Sequence, residues 1–492
     1  MDILLGIDVG TSSVKTVAVD LRGRVVAESQ RNYTLKHPQP GWAELHPHEW
    51  WDQTIDAVRE VVNSVLAREA RLQVLGLGLT GQMHSLVLLD ANGSPVRPAI
   101  TWLDSRARSV LSALTEKLDA AGFLERIKNQ PAPGLTVSML VWLARHEPEV
   151  LERAKTLLLP KDYIRYRLTG ELVSDFTDAS STLLFDTLSR TWFGEAAELL
   201  GIPTHLFPPL RDTYAPGSAV RPEVLGLPSA HPEIPVATGC SDQQAAALTT
   251  GVILPGAVQL MLGTGAQVLA PVDTTELDTI RTLNFFAHHY GWIVQGSVQN
   301  AGSALSWAMK ALGADWDEVA AVTSIPTAKD DPYFLPYLSG ERTPIMDPNA
   351  TGAWVRLRPD VERTDLLRTC MEGIVFGITD AVEAVLDVLR WQGPLEIRVS
   401  GGGIRLRSYV QMICDALGQP LSILSEANAT GIGAAMLGGV AGRQFRDLDD
   451  GFAALGARVE DSLAPDAERH QQLGERRAAL RPIREAYLHA GR

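Results

Sequence analysis

A strand, a Gly-Thr turn and a second strand occur twice in this chain, and that recurrence limits the fold more than any other feature. The first copy runs through Leu4–Val9, Gly10-Thr11-Ser12-Ser13 and Val14–Asp20. The second runs through Val258–Leu262, Gly263-Thr264-Gly265 and Gln267–Val272, just after the pattern resets near Gly251–Pro255. In both, apolar runs of strand length are bounded by small turn residues. Two such hairpins point to two related α/β domains turned toward one ligand. A chain of 492 residues is also too long for a single ordinary core. The expected division is 1–250 and 251–492.

Between the hairpins, helical spacing appears from His48 to Ala67, with Trp51, Ile55, Val58, Val62 and Leu66 on one face. A strand at Gln73–Leu79 follows, then a hairpin of Ser85–Leu89 and Val96–Ile100 about the turn Asp90-Ala91-Asn92-Gly93. Residues 105–200 read as mainly helical, the proline-rich 202–235 as extended connections, and the chain from Ala464 onward as a surface helix of mixed charge.

Composition removes several function classes. A net charge of −14 argues against nucleic-acid and anionic-membrane partners, which need a basic face. It leaves room for ATP, because backbone amides and a cation can hold phosphates locally. Cys240, Cys370 and Cys414 form neither a disulfide framework nor a CxxC pair, which fits a reducing compartment. The opening MDILLGIDVG has no basic leader, so the expected location is the cytoplasm. Ala245–Val272 is uncharged, but Thr249, Thr250, Gly251, Pro255 and Gly263 interrupt it as turns would, not as a bilayer helix would.

Phosphate binding has three candidates. No GxxxxGK[ST] occurs. Gly76, Gly78 and Gly81 match GxGxxG, but a strand-like run, Ser85–Leu89, follows where a dinucleotide site needs a helix. In Asp8-Val9-Gly10-Thr11-Ser12-Ser13, Gly10 permits a tight turn that aims backbone N–H groups and the Thr11, Ser12 and Ser13 hydroxyls at one point. Asp8 can hold Mg²⁺ through water, and Lys15 can add charge or simply be solvated. Taken alone, the stretch also reads as an ordinary hairpin with polar turn residues. The turn at Gly263-Thr264-Gly265 strengthens the first reading, because two small-residue hairpins can grip a polyphosphate from opposite sides. A third turn, Ser400-Gly401-Gly402-Gly403, follows a strand and precedes a helix starting near Ser408. It is either a nucleotide contact or a plain strand-to-helix turn.

Nine segments, in order along nearly the whole chain, resemble the FGGY carbohydrate kinases: IDVGTSSVK, GQMHS, WLDSR, LLPKDYIRYRLTGE, GCSDQQAA, LGTGA, PYLSGERTP, MEGIVFGITD and SGGG. GQMH and PYLSGERTP are most similar to xylulokinases. The resemblance implies two actin-like (ribonuclease H-like) ATPase domains with an interdomain cleft. It also implies ATP and Mg²⁺ as cofactors and a small sugar as partner, and it makes a homodimer plausible. It makes Asp242 the catalytic base, Asp8 the metal-linked aspartate, and Met83, His84 and Gln243 the sugar contacts. Thr11 and Thr264 become phosphate contacts, with Gly263, Gly302, Ser306, Gly401 and Gly402 lining the nucleotide.

The expected reaction is D-xylulose plus ATP giving D-xylulose 5-phosphate plus ADP, with Asp242 taking the hydroxyl proton. Asp104 and Arg106 can brace one another beside the sugar or form a plain ion pair. Trp42 and Glu44 can orient the sugar end, or Trp42 can pack beneath a loop. Glu341 and Arg342 are expected to form structural pairs. Three positions depart from the family pattern: Gln243 stands where xylulokinases carry Asn, Leu406 where a small polar residue is usual, and Met139 where a lysine is common. Gln243 keeps ribulose, fuculose and glycerol open as acceptors. An actin-like nucleotide switch is the reading from another class, and the polar residues His84, Asp104 and Gln243 argue against it.

Overall fold

The computed structural model describes residues 1–492 except 70, 278–281, 326–327, 329, 390, 426–427 and 491–492. The chain folds as two compact units. The first comprises Met1–Ile253, Phe286–Trp292 and Asn428–Gly456; the second comprises Leu254–Phe285, Ile293–Ala427 and Ala457–Arg492.

The first unit is built on β1 (Asp2–Val9), β2 (Ser13–Asp20), β3 (Val25–Asn32), β4 (Gln73–Gly81), β5 (Pro216–Val220), β6 (Ile234–Ala237) and β7 (Cys240–Ser241). They form one seven-stranded sheet in the order β5-β6-β4-β1-β2-β3, with β7 also paired to β4. β1, β2 and β3 are an antiparallel meander, whereas β4 runs parallel to β1, and β6 and β7 run parallel to β4. Ile3 to Gly6 are buried without alternation, as in a strand covered on both faces.

One cover is the helix Pro47–Leu66, which buries Trp50, Ile55, Val58, Val61, Val62 and Val65. Sequence spacing put Trp51 in this face. The fully buried indole is Trp50, and Trp51 is half-buried under the Arg167 guanidinium, 4.4 Å from its ring. The other cover is the helix Ala429–Ala441, made almost wholly of small residues. A Cβ at Gly6, Gly76 or Gly78 would overlap the carbonyls of Gly431, Gly438 and Ala434 respectively. Gly76 and Gly78 of the GxGxxG motif therefore let a helix backbone touch the sheet, while Gly81 packs against Val9 and Lys161, and no phosphate reading is needed. This packing also draws Asn428–Gly456 into the first unit.

The hairpin expected at 85–100 is only partly formed. Asp90–Ser94 makes the turn, and bridges join Leu86 to Ile100 and Leu89 to Pro95. However, Val87–Leu89 pairs mainly with Thr156–Leu158, and Ala99–Ile100 with Glu44–Leu45. Segments distant in sequence competed for these edges.

The second sheet is built from β8 (Ala257–Leu262), β9 (Ala266–Val272), β10 (Asn284–His288), β11 (Gly291–Val298), β12 (Glu396–Ser400), β13 (Leu421–Leu424) and β14 (Val459–Leu463), all in the second unit apart from Phe286–Trp292. Their order is β10-β11-β9-β8-β12-β13-β14. β8 is antiparallel to β9 and parallel to β12, and β12 is parallel to β13. Hairpin first, then parallel neighbours: the pattern of the first sheet is repeated.

The C-terminal helix Ala467–Ala490 is more than a charged surface element. Arg476 is buried and reaches both carboxylate oxygens of Glu372 at 2.6 Å, on the helix Arg363–Leu389. Arg477 and Arg484 pair with Asp380 on the same helix. No described helix is long and apolar enough to cross a membrane.

Candidate active site

The parallel strands β1, β4 and β7 end together. Asp8 is opposite Thr80, and Val9 opposite Gly81; Cys240 and Ser241 align with the same two residues of β4. In open α/β sheets this carboxyl end is where ligands are held. Asp8 therefore closes one strand, Gln82-Met83-His84 leave the second, and Asp242 follows the third.

The first Gly-Thr turn is pinned from three sides. Gly10 N–H donates to Ser13 O at 3.0 Å. The Gly10 carbonyl accepts from Gln82 Nε2 at 2.8 Å and from the Tyr33 hydroxyl. Trp102 Nε1 donates to Thr11 Oγ1 at 2.9 Å, which leaves the Thr11 proton to donate elsewhere. Ser12 is exposed at the tip, while Ser13 Oγ accepts from Gln30 Nε2 at 3.2 Å. Lys15 pairs with Glu28 at 3.6 Å, a half-exposed contact.

Asp242 is the first residue of the helix Asp242–Thr250. Its Oδ1 accepts from Gln243 N–H at 2.7 Å. Burial, then the charge of Asp8, push its pKa from 3.8 to about 7. Asp8 is itself raised by burial, partly offset by a 2.6 Å hydrogen bond from Thr430 Oγ1 and by Lys15. The other Asp8 oxygen, Oδ1, is buried and accepts nothing; neither does the buried Oε1 of Gln243. Buried acceptors left without donors mark where a ligand belongs. A hard, partly hydrated divalent cation suits the bare Asp8 oxygen beside a second carboxylate, so the donor set fits Mg²⁺.

Met83 is buried. His84 has φ +68°; its Nδ1 lies 2.8 Å from Ser181 O, and its carbonyl accepts from Thr136 Oγ1 at 2.7 Å. Asp104, 2% exposed, accepts from Ala43 N, Arg106 N, Arg106 Nε and Arg106 Nη2, all within 2.9 Å. Four donors fill its acceptor positions, so it braces the loop and has no lone pair left for a hydroxyl. The Arg106 guanidinium also meets Glu44 at 2.6 Å and lies 3.6 Å over the Trp42 ring. Gln82, Trp102, Tyr33 and Thr430 were not singled out from sequence. Thr430 lies in NATGIGAA, where nothing but the fold links it to Asp8.

The second unit repeats the construction. The Gly263-Thr264-Gly265 turn ends β8, and Gly263 and Thr264 are exposed. Their carbonyls accept from the N–H groups of Gly302 at 3.2 Å and Ser303 at 2.8 Å, which start the helix Gly302–Leu312. Gly401 has φ +89°, and a Cβ there would stand 2.6 Å from Leu262 O, whereas one at Gly402 would meet open space. Gly263, Thr264, Gly302, Gly401 and Gly402 thus share one end of this sheet. Ser306, one turn along the helix, is exposed and donates to Gly302 O at 2.8 Å. Leu406 closes the glycine turn and Met139 is core. Glu341 accepts from Gln299 N, Asn300 Nδ2 and Arg342 N, so it caps the loop, and its charge also acts on the Arg342 guanidinium.

Residues 3–249 match the N-terminal domain, and residues 258–442 the C-terminal domain, of the FGGY family of carbohydrate kinases. The chain belongs to that family. This kinase is 32% identical to the xylulose kinase of Escherichia coli K12 over 495 residues, covering 98% of this chain and 99% of that one. Its fold matches the crystal structure of a xylulose kinase from Rhodospirillum rubrum with TM-score 0.89 and 28% identity, covering 99% and 100% of the two chains. A gluconate kinase from Lactobacillus acidophilus matches with TM-score 0.91 at 24% identity over 99% and 98%, a likeness of fold alone. It is an ATP-dependent sugar kinase with the two-domain fold of that family.

Proposed function

We propose that this chain moves the γ-phosphoryl group of ATP to the 5-hydroxyl of D-xylulose, giving D-xylulose 5-phosphate and ADP, with Asp242 as the base. The observation that carries the reading is the Asp242 carboxyl: partly buried, raised to about 7, and followed in the chain by a glutamine whose buried amide oxygen lacks a donor. Its relatives are named for xylulose.

A sugar hydroxyl attacks phosphorus poorly until its proton has an acceptor. A carboxylate whose pKa lies near the working pH is ionised often enough to act and basic enough to accept. As the oxygen–phosphorus bond forms, the proton passes to Asp242 and leaves later to water. Gln243 Oε1 accepts a sugar hydroxyl, and Met83 packs on a carbon face. His84, held by Ser181, contacts the sugar. Thr11 and Thr264 contact phosphate oxygens, with Gly263, Gly302, Gly401 and Gly402 allowing the nucleotide close approach. Ser12, Ser13, Lys15 and Ser306 stand at the margins. Asp8 would hold Mg²⁺, which neutralises the triphosphate charge when bound.

A coupled ADP-release assay with D-xylulose, D-ribulose, L-fuculose, gluconate and glycerol tests the reading. D-Xylulose should lead in kcat/KM by at least about tenfold, since a site built around hydroxyls rejects mismatched ones. Another acceptor matching it would replace the substrate. ATP hydrolysis indifferent to every sugar would favour the nucleotide switch.

A further inference from the structure

Behind the Asp242 loop lies an ion cluster that the phosphoryl transfer does not touch. Lys161 Nζ is 2.8 Å from Asp175 Oδ1 and 3.1 Å from Asp178 Oδ2, and it also pairs with Asp162 Oδ1. All four side chains are buried. Among the described residues these three carboxylates are the one acidic group with metal-ligand spacing. The Lys161 ammonium stands among them, so the cluster carries its own cation. Such a group is costly to bury and weak evidence for stability, so its purpose must be sought in what it holds.

It holds two things. The Lys161 stem lies against the end of β4 and the turn before β7: a Cβ at Gly81 would be 3.4 Å from Lys161 Cβ, and one at Gly239 3.2 Å from Cδ. Asp175 Oδ2 accepts from Thr177 N at 2.6 Å and Thr177 Oγ1 at 2.5 Å. A threonine hydroxyl has one proton. With that proton committed to Asp175, Thr177 Oγ1 presents a lone pair to Ser241 N–H, 3.0 Å away and one residue before Asp242. The same short helix, Phe176–Ser181, ends on the carbonyl that meets His84 Nδ1 at 2.8 Å.

We propose that Thr177, its hydroxyl direction locked by the Lys161–Asp175 ion pair, is a positioning residue that sets the Ser241–Asp242 backbone and, through Ser181, the His84 ring for phosphoryl transfer. The inference rests on Asp242 being the base. It adds that the base's placement is fixed by a buried charge relay with no contact to either substrate.

The test compares Thr177→Val, which keeps the shape and removes the hydroxyl, with Thr177→Ser, which restores it. Turnover of D-xylulose with saturating ATP and Mg²⁺ should fall about 10- to 100-fold in Thr177→Val, the scale of an ångström-sized misplacement. Its nucleotide affinity should stay unchanged, and Thr177→Ser should return to within about threefold of wild type, taking a restored hydroxyl to restore the geometry. In an Asp242→Asn background Thr177→Val should cost little further in kcat, because the two act as a unit there, and any remaining loss should appear in the KM for D-xylulose through His84. Equal losses in both backgrounds, or a lower melting temperature with unchanged kcat per folded molecule, would overturn the relay. Should Thr177→Val not fold, Thr177→Ala removes the same hydroxyl without adding a methyl and is read the same way. Wild-type turnover in Asp242→Asn alone would instead sink the base assignment, whatever Thr177 does.

Discussion

Asp242 weakens the fold that it serves, and the size of that effect can be worked out. Its carboxyl moves from 3.8 to about 7 because burial and Asp8 disfavour the charged form. At 1.36 kcal/mol per pKa unit this is about 4 kcal/mol. The folded state binds the proton more tightly than the unfolded one. Stability therefore falls as pH rises from about 4 to about 7 and is flat above. Asp242→Asn keeps an acceptor for the Gln243 N–H but carries no charge, so it escapes the penalty. It gives up the attraction of a carboxylate for a helix N-terminus, about 0.3–1 kcal/mol. The net expectation is an apo variant more stable than wild type by about 3 kcal/mol at pH 8. The gain should shrink to about 1 kcal/mol by pH 5, where both states of the wild type hold more of the proton. Melting temperatures of the two apo proteins, scanned from pH 5 to 8.5 without nucleotide or magnesium, read the trend directly. A variant that melts at or below wild type at pH 8, or a difference that ignores pH, would refute the reasoning.

Two further outcomes concern packing. Gly78→Ala drives a methyl into the Ala434 carbonyl, so it should cost at least about 1–3 kcal/mol and lower sugar turnover by moving the β4 end; a thermal shift and a kcat measurement check both. Arg476→Met strips the bidentate partner from buried Glu372 and should cost about 3–5 kcal/mol, visible as early loss of the C-terminal helix in hydrogen exchange.

What could be read in advance was what local chemistry dictates. The two Gly-Thr hairpins, the glycine turn at 400–403 and the failure of GxGxxG all follow from short apolar runs and small residues. Each is where expected, within a residue or two. What escaped was anything set by partners far along the chain. Thr430 bonds to Asp8 across 422 positions. Trp50 is buried where Trp51 was expected, and no spacing rule separates adjacent tryptophans. Val87–Leu89 chose Thr156–Leu158 over its neighbour. Asp104 meets not only Arg106 but also the Ala43 N–H, 61 positions away. Lys161 and its aspartates are spread over positions 161–178, and only the fold makes them one cluster.

The central claim is that Asp242 takes the sugar proton, and Asp242→Ala tests it most directly. ADP release with D-xylulose should drop at least about 100-fold while ATP binding, followed by titration calorimetry, stays at the wild-type value. Turnover within about tenfold of wild type would contradict the account, since a positioned base contributes more than that.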